Sequence, residues 1–391
     1  MRLAVVTSHP IQYNAPLFRA LAQELDVHVF FAHRATARDQ AKAGFDTPFT
    51  WDVDLLSGYQ SSFLTNISRS PSADFFSGCD TPEVARCLRD GRFDAVLVFG
   101  WYLRSFVQTV VAARRLQIPI LVRGDSHLGT PVSSWKRAAK RLVYPVALRA
   151  FDAALYVGER SREYYEFYSY PRERLFFSPH CVDTEWFAAR ATDDSAKELR
   201  SRHDIDPSER VVLFSGKLIE IKRPLDILDA AAQLAVTGRA VTVMVAGSGA
   251  LEAAMRERAS QQGVKLVTLG FQNQTAMPAC YRASDVLVVP SERETWGLVA
   301  NEALACGRPV IVSDAVGCAP DLVADGTVGR IFPTGKPAGL ASAIASILDS
   351  PPMPGAISAK SDTYGIKATC AGIFEAMAYV TSRGRASRPT S

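Results

Sequence analysis

The sequence lacks what would tie it to a membrane span, a disulfide framework or nucleic acid. No apolar run approaches the roughly 20 residues that a membrane-crossing helix needs. Cysteines number seven, an odd count scattered from Cys79 to Cys370 with no CxxC pair. That argues against a disulfide scaffold or zinc ribbon and for a reducing compartment. The opening MRLAVVTSHPIQYN has one Arg and too short an apolar run for a signal peptide, so it reads as a first strand. Charge of one sign is also scarce. A net +4 over 391 residues suits a phosphorylated small molecule or an anionic surface and is too weak to argue for nucleic acid. There is no internal sequence repeat.

What remains is 48% hydrophobic and 21% charged, the balance of a globular protein long enough for two domains. Apolar, β-branched runs alternate with helical patterns. In the first half, strands are expected at LAVVTS (from Leu3), VHVFFA (from Val27), DAVLVFG (from Asp94), IPILVRG (from Ile118), AALYVG (from Ala153) and LFFSP (from Leu175). They run apolar without alternation, as strands covered on both faces do. Helical stretches such as APLFRALAQEL and VQTVVAARRL separate them, which is the logic of a parallel sheet with right-handed crossovers. A polar, strand-free interval at 191–210 reads as a linker. The pattern restarts at VVLFSG (from Val211), VTVMVAG, VKLVTLG, DVLVVPS, PVIVSD and GRIFP. The expected architecture is two doubly wound Rossmann-like α/β domains, 1–190 and 211–350, facing across a cleft, with ligands beyond the carboxyl ends of the strands. A segment at 351–380 carries a helix expected to cross back to the first domain. Residues 381–391, rich in Arg and Ser, read as a disordered tail.

The stretch SERETWGLVANEALACGRPV places two carboxylates, Glu294 and Glu302, eight positions apart. With a helix starting near Trp296, Glu302 falls on the side of Leu298, Val299 and Cys306, where side chains are buried. An unpaired buried carboxylate is costly. Either sugar or ribose hydroxyls satisfy it, or an unseen Lys or Arg does. Glu294 precedes the helix, at the carboxyl end of a strand. Between them Trp296, Gly297 and Leu298 offer the free amides of a helix start, an anion site with no side chain at Gly297 to hold a phosphate away. Lys217 and Lys222, just after the first strand of the second domain, can neutralise a diphosphate leaving group, and Arg223 competes with Lys222 for that role. Gly247 and Gly249 in VAGSGALEAAM form a tight strand-to-helix turn. The third glycine of a dinucleotide fingerprint is missing, since Glu252 stands there, which disfavours a dehydrogenase.

From Val211 to Ile347 these elements together resemble the donor domain of retaining glycosyltransferases of the GT-B fold, family 4, with the Glu294–Glu302 spacing as the most specific part. SPHCVDTEWF, from Ser178, resembles the element that closes the family's first domain, with His180 and Cys181 in place of Asn and Gly. The resemblance implies a nucleotide-sugar donor held mainly by the second domain. Glu302 would bind ribose hydroxyls, Gly297 and Leu298 would give amides to the diphosphate, and Lys217 and Lys222 would match the family's Arg–Lys pair. Glu294 would contact the sugar hydroxyls, and the segment around Phe271 would pass the nucleobase. Lys217 in place of Arg loses a bidentate fork and keeps the charge. The family's glycine-rich loop is here SHPIQYNAP, without glycine. His9, Gln12 and Asn14 there would touch donor or acceptor. His127, after another strand, resembles in position the family's first-domain histidine. Its other reading is a structural histidine bonded to Asp125 or to backbone.

The implied reaction is hexosyl transfer with retention to a saccharide or lipid-linked hydroxyl in polysaccharide or glycolipid assembly. A front-side displacement fits, with the leaving phosphate oxygen taking the acceptor proton. No cofactor or metal is required where lysines and a helix terminus do this work; Asp52-Val53-Asp54 matches a metal-binding triplet by pattern alone. A sugar-nucleotide epimerase and a non-catalytic nucleotide-sugar-binding protein are the competing readings. The expected location is cytoplasmic. SSWKRAAKRLVYPVALRAF, from Ser133, mixes basic and apolar residues. It reads either as a solvated basic helix face or as a peripheral contact with the anionic inner face of a membrane.

Overall fold

The apolar runs become the buried centres of two all-parallel sheets. The computed structural model describes residues 1–36, 48–129 and 133–386. The first sheet comprises β1 (Arg2–Thr7), β2 (Asp26–Phe31), β3 (Gln60–Phe63), β4 (Ala95–Val98), β5 (Ile120–Gly124), β6 (Ala153–Tyr156) and β7 (Leu175–Phe177). Their order is β3-β2-β1-β4-β5-β6-β7. Leu3 sits opposite both Val27 and Ala95. Side chains alternate across the sheet, yet both sets are apolar. Val6, Val96 and Val122 pack with Phe93 and Phe106 on one face; Leu3, Leu97 and Leu121 pack with Phe18, Ile373 and Met377 on the other. Covered faces explain why these strands read as unbroken apolar runs.

The second sheet comprises β8 (Val211–Ser215), β9 (Thr242–Ala246), β10 (Leu266–Gly270), β11 (Val286–Val289), β12 (Val310–Ser313) and β13 (Gly329–Phe332), ordered β10-β9-β8-β11-β12-β13. The strand order reverses beside β1 in one sheet and beside β8 in the other. At such a switch point the loops leaving neighbouring strands diverge to opposite faces and open a crevice. The loop after β8 carries Lys217 and Lys222, and the loop after its neighbour β11 carries Glu294.

Four expectations about organisation need correcting. The chain divides into one unit of Met1–Thr36, Asp54–His180 and Ile366–Ser391 and another of Ala37–Val53 and Cys181–Gly365. The interval 191–210 is therefore no linker. It holds the helix Asp193–Arg202, capped by the Thr192 hydroxyl and packed on the helix Met277–Ala283 within the second unit. Residues 48–53 belong to the second unit although they precede β3. The segment 351–380 splits: the helix Pro354–Thr363 stays with the second unit, while the helix Ile366–Ala386 packs on β6, β7 and the helix Asn14–Glu24 of the first. Of the tail expected at 381–391, residues 381–386 continue that last helix and 387–391 lie outside the described residues. Among the described residues no helix is long and apolar enough to cross a membrane.

Candidate functional site

In the second unit, four loops at the carboxyl ends of the strands are tied to each other through their backbones. After β8, Gly216 donates its amide to the Ala246 carbonyl, and Leu218 donates to that of Ser248 (3.0 and 2.9 Å). This close approach is the reason for the two glycines after β9. A Cβ at Gly247 would fall 1.8 Å from the Gly216 carbonyl oxygen, and one at Gly249 would fall 2.7 Å from that of Leu218. The turn is as tight as the sequence implies, and its close partner is the neighbouring loop's backbone. Across the reversal, Gly317 donates to the Glu294 carbonyl and Cys318 to that of Trp296 (3.0 and 2.9 Å). The Glu294 strand-end is thus clamped by the loop after β12.

Side chains converge on this frame. Lys222 Nζ forms an ion pair with Glu294, each half-buried. Lys217 is half-buried too. Arg223 does not compete. Its guanidinium holds Asp226 through two hydrogen bonds of 2.7 and 3.0 Å, a fork that fixes it away from the role. The helix Leu298–Ala305 starts two residues later than the sequence suggests, because Gly297 takes φ +98°, ψ +57° as its cap. Trp296 is therefore outside the helix. It is buried, its indole N–H donating to the Asn301 side-chain oxygen at 2.8 Å. The Ala300 amide is used by the Gly297 carbonyl (2.9 Å), so the open first-turn donors are those of Leu298 and Val299. A Cβ on Gly297 would sit 3.4 Å from the Glu294 Cγ, which brings the helix start, Glu294 and Lys222 into one cluster.

Glu302 lies on this helix and is 4% exposed. The hydroxyl of Tyr281, itself fully buried on the helix Met277–Ala283, donates to one of its oxygens. An ionised carboxyl group offers about four acceptor positions, of which the Tyr281 hydroxyl takes one. Phe271, in the segment expected to pass a nucleobase, has its ring against Phe49 with centroids 4.4 Å apart. Phe49 is brought there by 48–53: Asn273 donates to the Thr50 carbonyl (2.8 Å), and the Thr275 amide and hydroxyl donate to Asp52. The Asp52–Asp54 triplet is divided. Asp52 binds Thr275, whereas Asp54, in the other unit, accepts the Leu56 and Ser57 amides at 2.9 and 3.1 Å.

In the first unit, His9 and Gln12 follow β1, with the His9 ring 3.0 Å from the Ser8 hydroxyl and Gln12 buried. Asn14 opens a helix, its amide donating to Ile11 (3.2 Å). His127 follows β5 and is 6% exposed, with both ring nitrogens buried and without a hydrogen-bond partner among the described residues. The alternative of a histidine bonded to Asp125 or backbone therefore fails there. Burial, then the nearby Arg160, push its pKa down, with Asp125 opposing, so its imidazole is neutral at pH 7. His180, in place of the family's Asn, is half-buried, with its Nε2 3.9 Å from Asp125.

Two family models divide the chain: "Glycosyl transferase 4-like domain" matches residues 10–180 and "Glycosyl transferases group 1" matches 195–363. The chain belongs to the group 1, GT4-like glycosyltransferase family. The curated D-inositol 3-phosphate glycosyltransferase of Segniliparus rotundus is 33% identical over 192 residues, 48% of this chain and 42% of the relative. The alpha-D-kanosaminyltransferase of Streptomyces kanamyceticus is 27% identical over 208 residues, 52% of this chain and 53% of the relative. The matched stretches thus span about half or less of these relatives. Among solved structures, Anabaena HepE in complex with UDP superposes with a TM-score of 0.73 at 17% identity, covering 97% of this chain and all of the other. That likeness establishes the GT-B fold.

In this family member, the structure gathers Lys222, Glu294, Gly297 and Leu298 in one cluster, with Glu302 in the same helix. It gives Gly247 and Gly249 a role in loop packing and covers one face of Phe271. Sequence reasoning missed Tyr281, Phe49 and Cys318. Tyr281 had one legible signal, a hydroxyl on a helix whose neighbours Cys280 and Ala283 are core residues. Phe49 had none, because no local pattern announces that 48–53 joins the second unit.

Proposed function

We propose that the chain transfers a sugar from a nucleoside-diphosphate donor to a hydroxyl acceptor, with retention at the anomeric carbon and without a metal ion. The observation that carries this reading is the cluster in which Lys222 and Glu294 pair beside the open end of the helix that bears buried Glu302. The donor's diphosphate takes the Leu298 and Val299 amides and draws on Lys217 and Lys222. Sharing Lys222 with the phosphates loosens its hold on Glu294, whose oxygens then accept sugar hydroxyls. Glu302, fixed by Tyr281, accepts the ribose hydroxyls. As the bond from the anomeric carbon to the phosphate oxygen breaks, negative charge grows on the diphosphate, where the cations and helix terminus stabilise it. The same oxygen takes the acceptor's proton as the new glycosidic bond forms on the face it leaves. In the first unit, neutral His127 offers one ring donor and one ring acceptor to a sugar hydroxyl.

The UDP complex of HepE puts UDP-sugars first in a donor screen. The inositol phosphate named in the curated relative joins saccharide and lipid-linked hydroxyls in the acceptor screen. A thermal-shift series with nucleotide sugars tests donor binding, since a ligand that binds only the native state raises its stability. The reading requires at least one nucleotide sugar to raise Tm, EDTA to leave that shift unchanged, and NMR of the product to show the donor's anomeric configuration. No stabilising nucleotide sugar, or an inverted product, overturns it. Donor alone should emerge chemically unchanged, which distinguishes transfer from epimerisation.

A further inference from the structure

The helix Ser134–Ala147 is inverted relative to an ordinary surface helix: its apolar stripe faces water. At about 100° per residue, Trp135, Leu142 and Val146 share one line, and Tyr144 lies on the opposite side. Tyr144 is the inward anchor. Its ring packs on Tyr168 and Tyr164 with centroids 5.0 and 6.4 Å apart. The outward stripe is left bare: Trp135 is 69%, Leu142 80% and Val146 73% exposed. No residue of this helix is fully buried.

The charges around the stripe are of one sign. At the same 100° per residue Lys136 and Arg141 fall about 100–120° to either side of it and Arg137 and Lys140 nearer the Tyr144 side; Arg149 follows, and no acidic residue occurs between Asp125 and Asp152. Lys136 lies over the Trp135 ring at 5.6 Å, on the stripe itself, while Lys140 leans on the Tyr144 ring at 5.3 Å and Arg141 on Phe167 at 5.4 Å. An exposed aromatic and aliphatic line rimmed by cations matches a lipid surface carrying negative headgroups: the stripe enters the interface and the cations meet phosphates.

We propose that this helix docks the protein flat onto an anionic membrane. The helix follows the loop that bears His127, at the carboxyl end of β5, so docking brings lipid headgroups to the end of the first sheet where the candidate residues lie. The consequence that the acceptor is a membrane-borne hydroxyl rests on the transferase reading above.

The test is flotation of the full chain with vesicles of phosphatidylcholine alone and of equal parts phosphatidylcholine and phosphatidylglycerol. The protein should float with the anionic vesicles and stay behind with the neutral ones. Trp135→Asp with Leu142→Asp, and separately Lys136→Glu with Arg137→Glu, should each cut the bound fraction at least tenfold with melting temperature unchanged, because these side chains are exposed. Wild-type protein that ignores anionic vesicles, that floats equally with both, or that floats unaltered by either pair of substitutions overturns the proposal; the first result would point to a protein partner for the stripe. Donor-induced thermal stabilisation is measured on the same samples. Flotation without a donor shift leaves the docking standing and removes the transferase reading, and a donor shift without flotation does the reverse.

Discussion

The two units present their candidate residues in opposite ways. In the second, the loop frame is bonded backbone to backbone, Lys222 holds Glu294, and Tyr281 holds Glu302. In the first, His127 is as buried as Glu302 is, yet neither ring nitrogen meets a partner among the described residues. A buried polar group without a partner costs about 1–3 kcal/mol. The contrast is between carboxylates held in fixed positions by named partners in the second unit and, in the first, a buried imidazole that has none among the described residues.

The largest effect should come from breaking the bonded half. Lys222→Met removes a cation from the leaving group and should lower the turnover rate ~10²–10³-fold, by analogy with the loss of one transition-state donor. Adding Glu294→Gln should restore the stability lost with the ion pair and leave turnover low; recovery of turnover in the double variant would show that the pair is only structural. Glu302→Gln comes next. It keeps a partner for the Tyr281 hydroxyl and removes the charge, so donor affinity should weaken ~10–100-fold by calorimetry, the range for a hydrogen bond to a charged group. Unchanged affinity would place the ribose elsewhere.

Smaller effects sharpen the comparison. Gly297→Ala forces a side chain into φ +98° and sets its Cβ 3.0 Å from Val316, so urea melts should show a loss of about 1–2 kcal/mol. His127→Phe should do the reverse and stabilise by about 1 kcal/mol while transfer falls. The sign with pH follows from the lowered pKa. Below about pH 6.5 the unfolded chain takes up a proton that folded His127 resists, so the wild type loses stability as pH falls through that range. The Phe variant should lose that slope. A destabilised Phe variant would mean that the imidazole is satisfied after all.

The sheets were legible because burial on both faces leaves apolar runs, and the six strands of the second sheet all stand where those runs do. In the first sheet only β3 escaped notice. Its four residues, Gln60–Phe63, pair with β2 at the sheet edge, where QSSF needs no apolar run. The burial of Glu302 and the nearness of Lys222 to Glu294 and Gly297 were legible because charge beside a glycine in an apolar context is expensive and therefore informative. The start of the Leu298 helix was misplaced because Gly297's left-handed backbone is a tertiary outcome, set by the clamp from the Val316–Cys318 loop. The role of Gly247 was half legible: spacing announces a tight turn but not what lies 1.8 Å beyond the missing side chain.

The chain passes from one unit to the other four times, after Thr36, Val53, His180 and Gly365. No single cut therefore yields either unit whole. A fragment ending at His180 would lose the helix whose Ile373 and Met377 cover the first sheet, and one starting at Cys181 would lack Phe49 against Phe271. Recombining specificities between relatives should accordingly work by exchanging three segments together for the first half, since a two-piece splice bares oily surface on the first unit and strips an aromatic partner from the second.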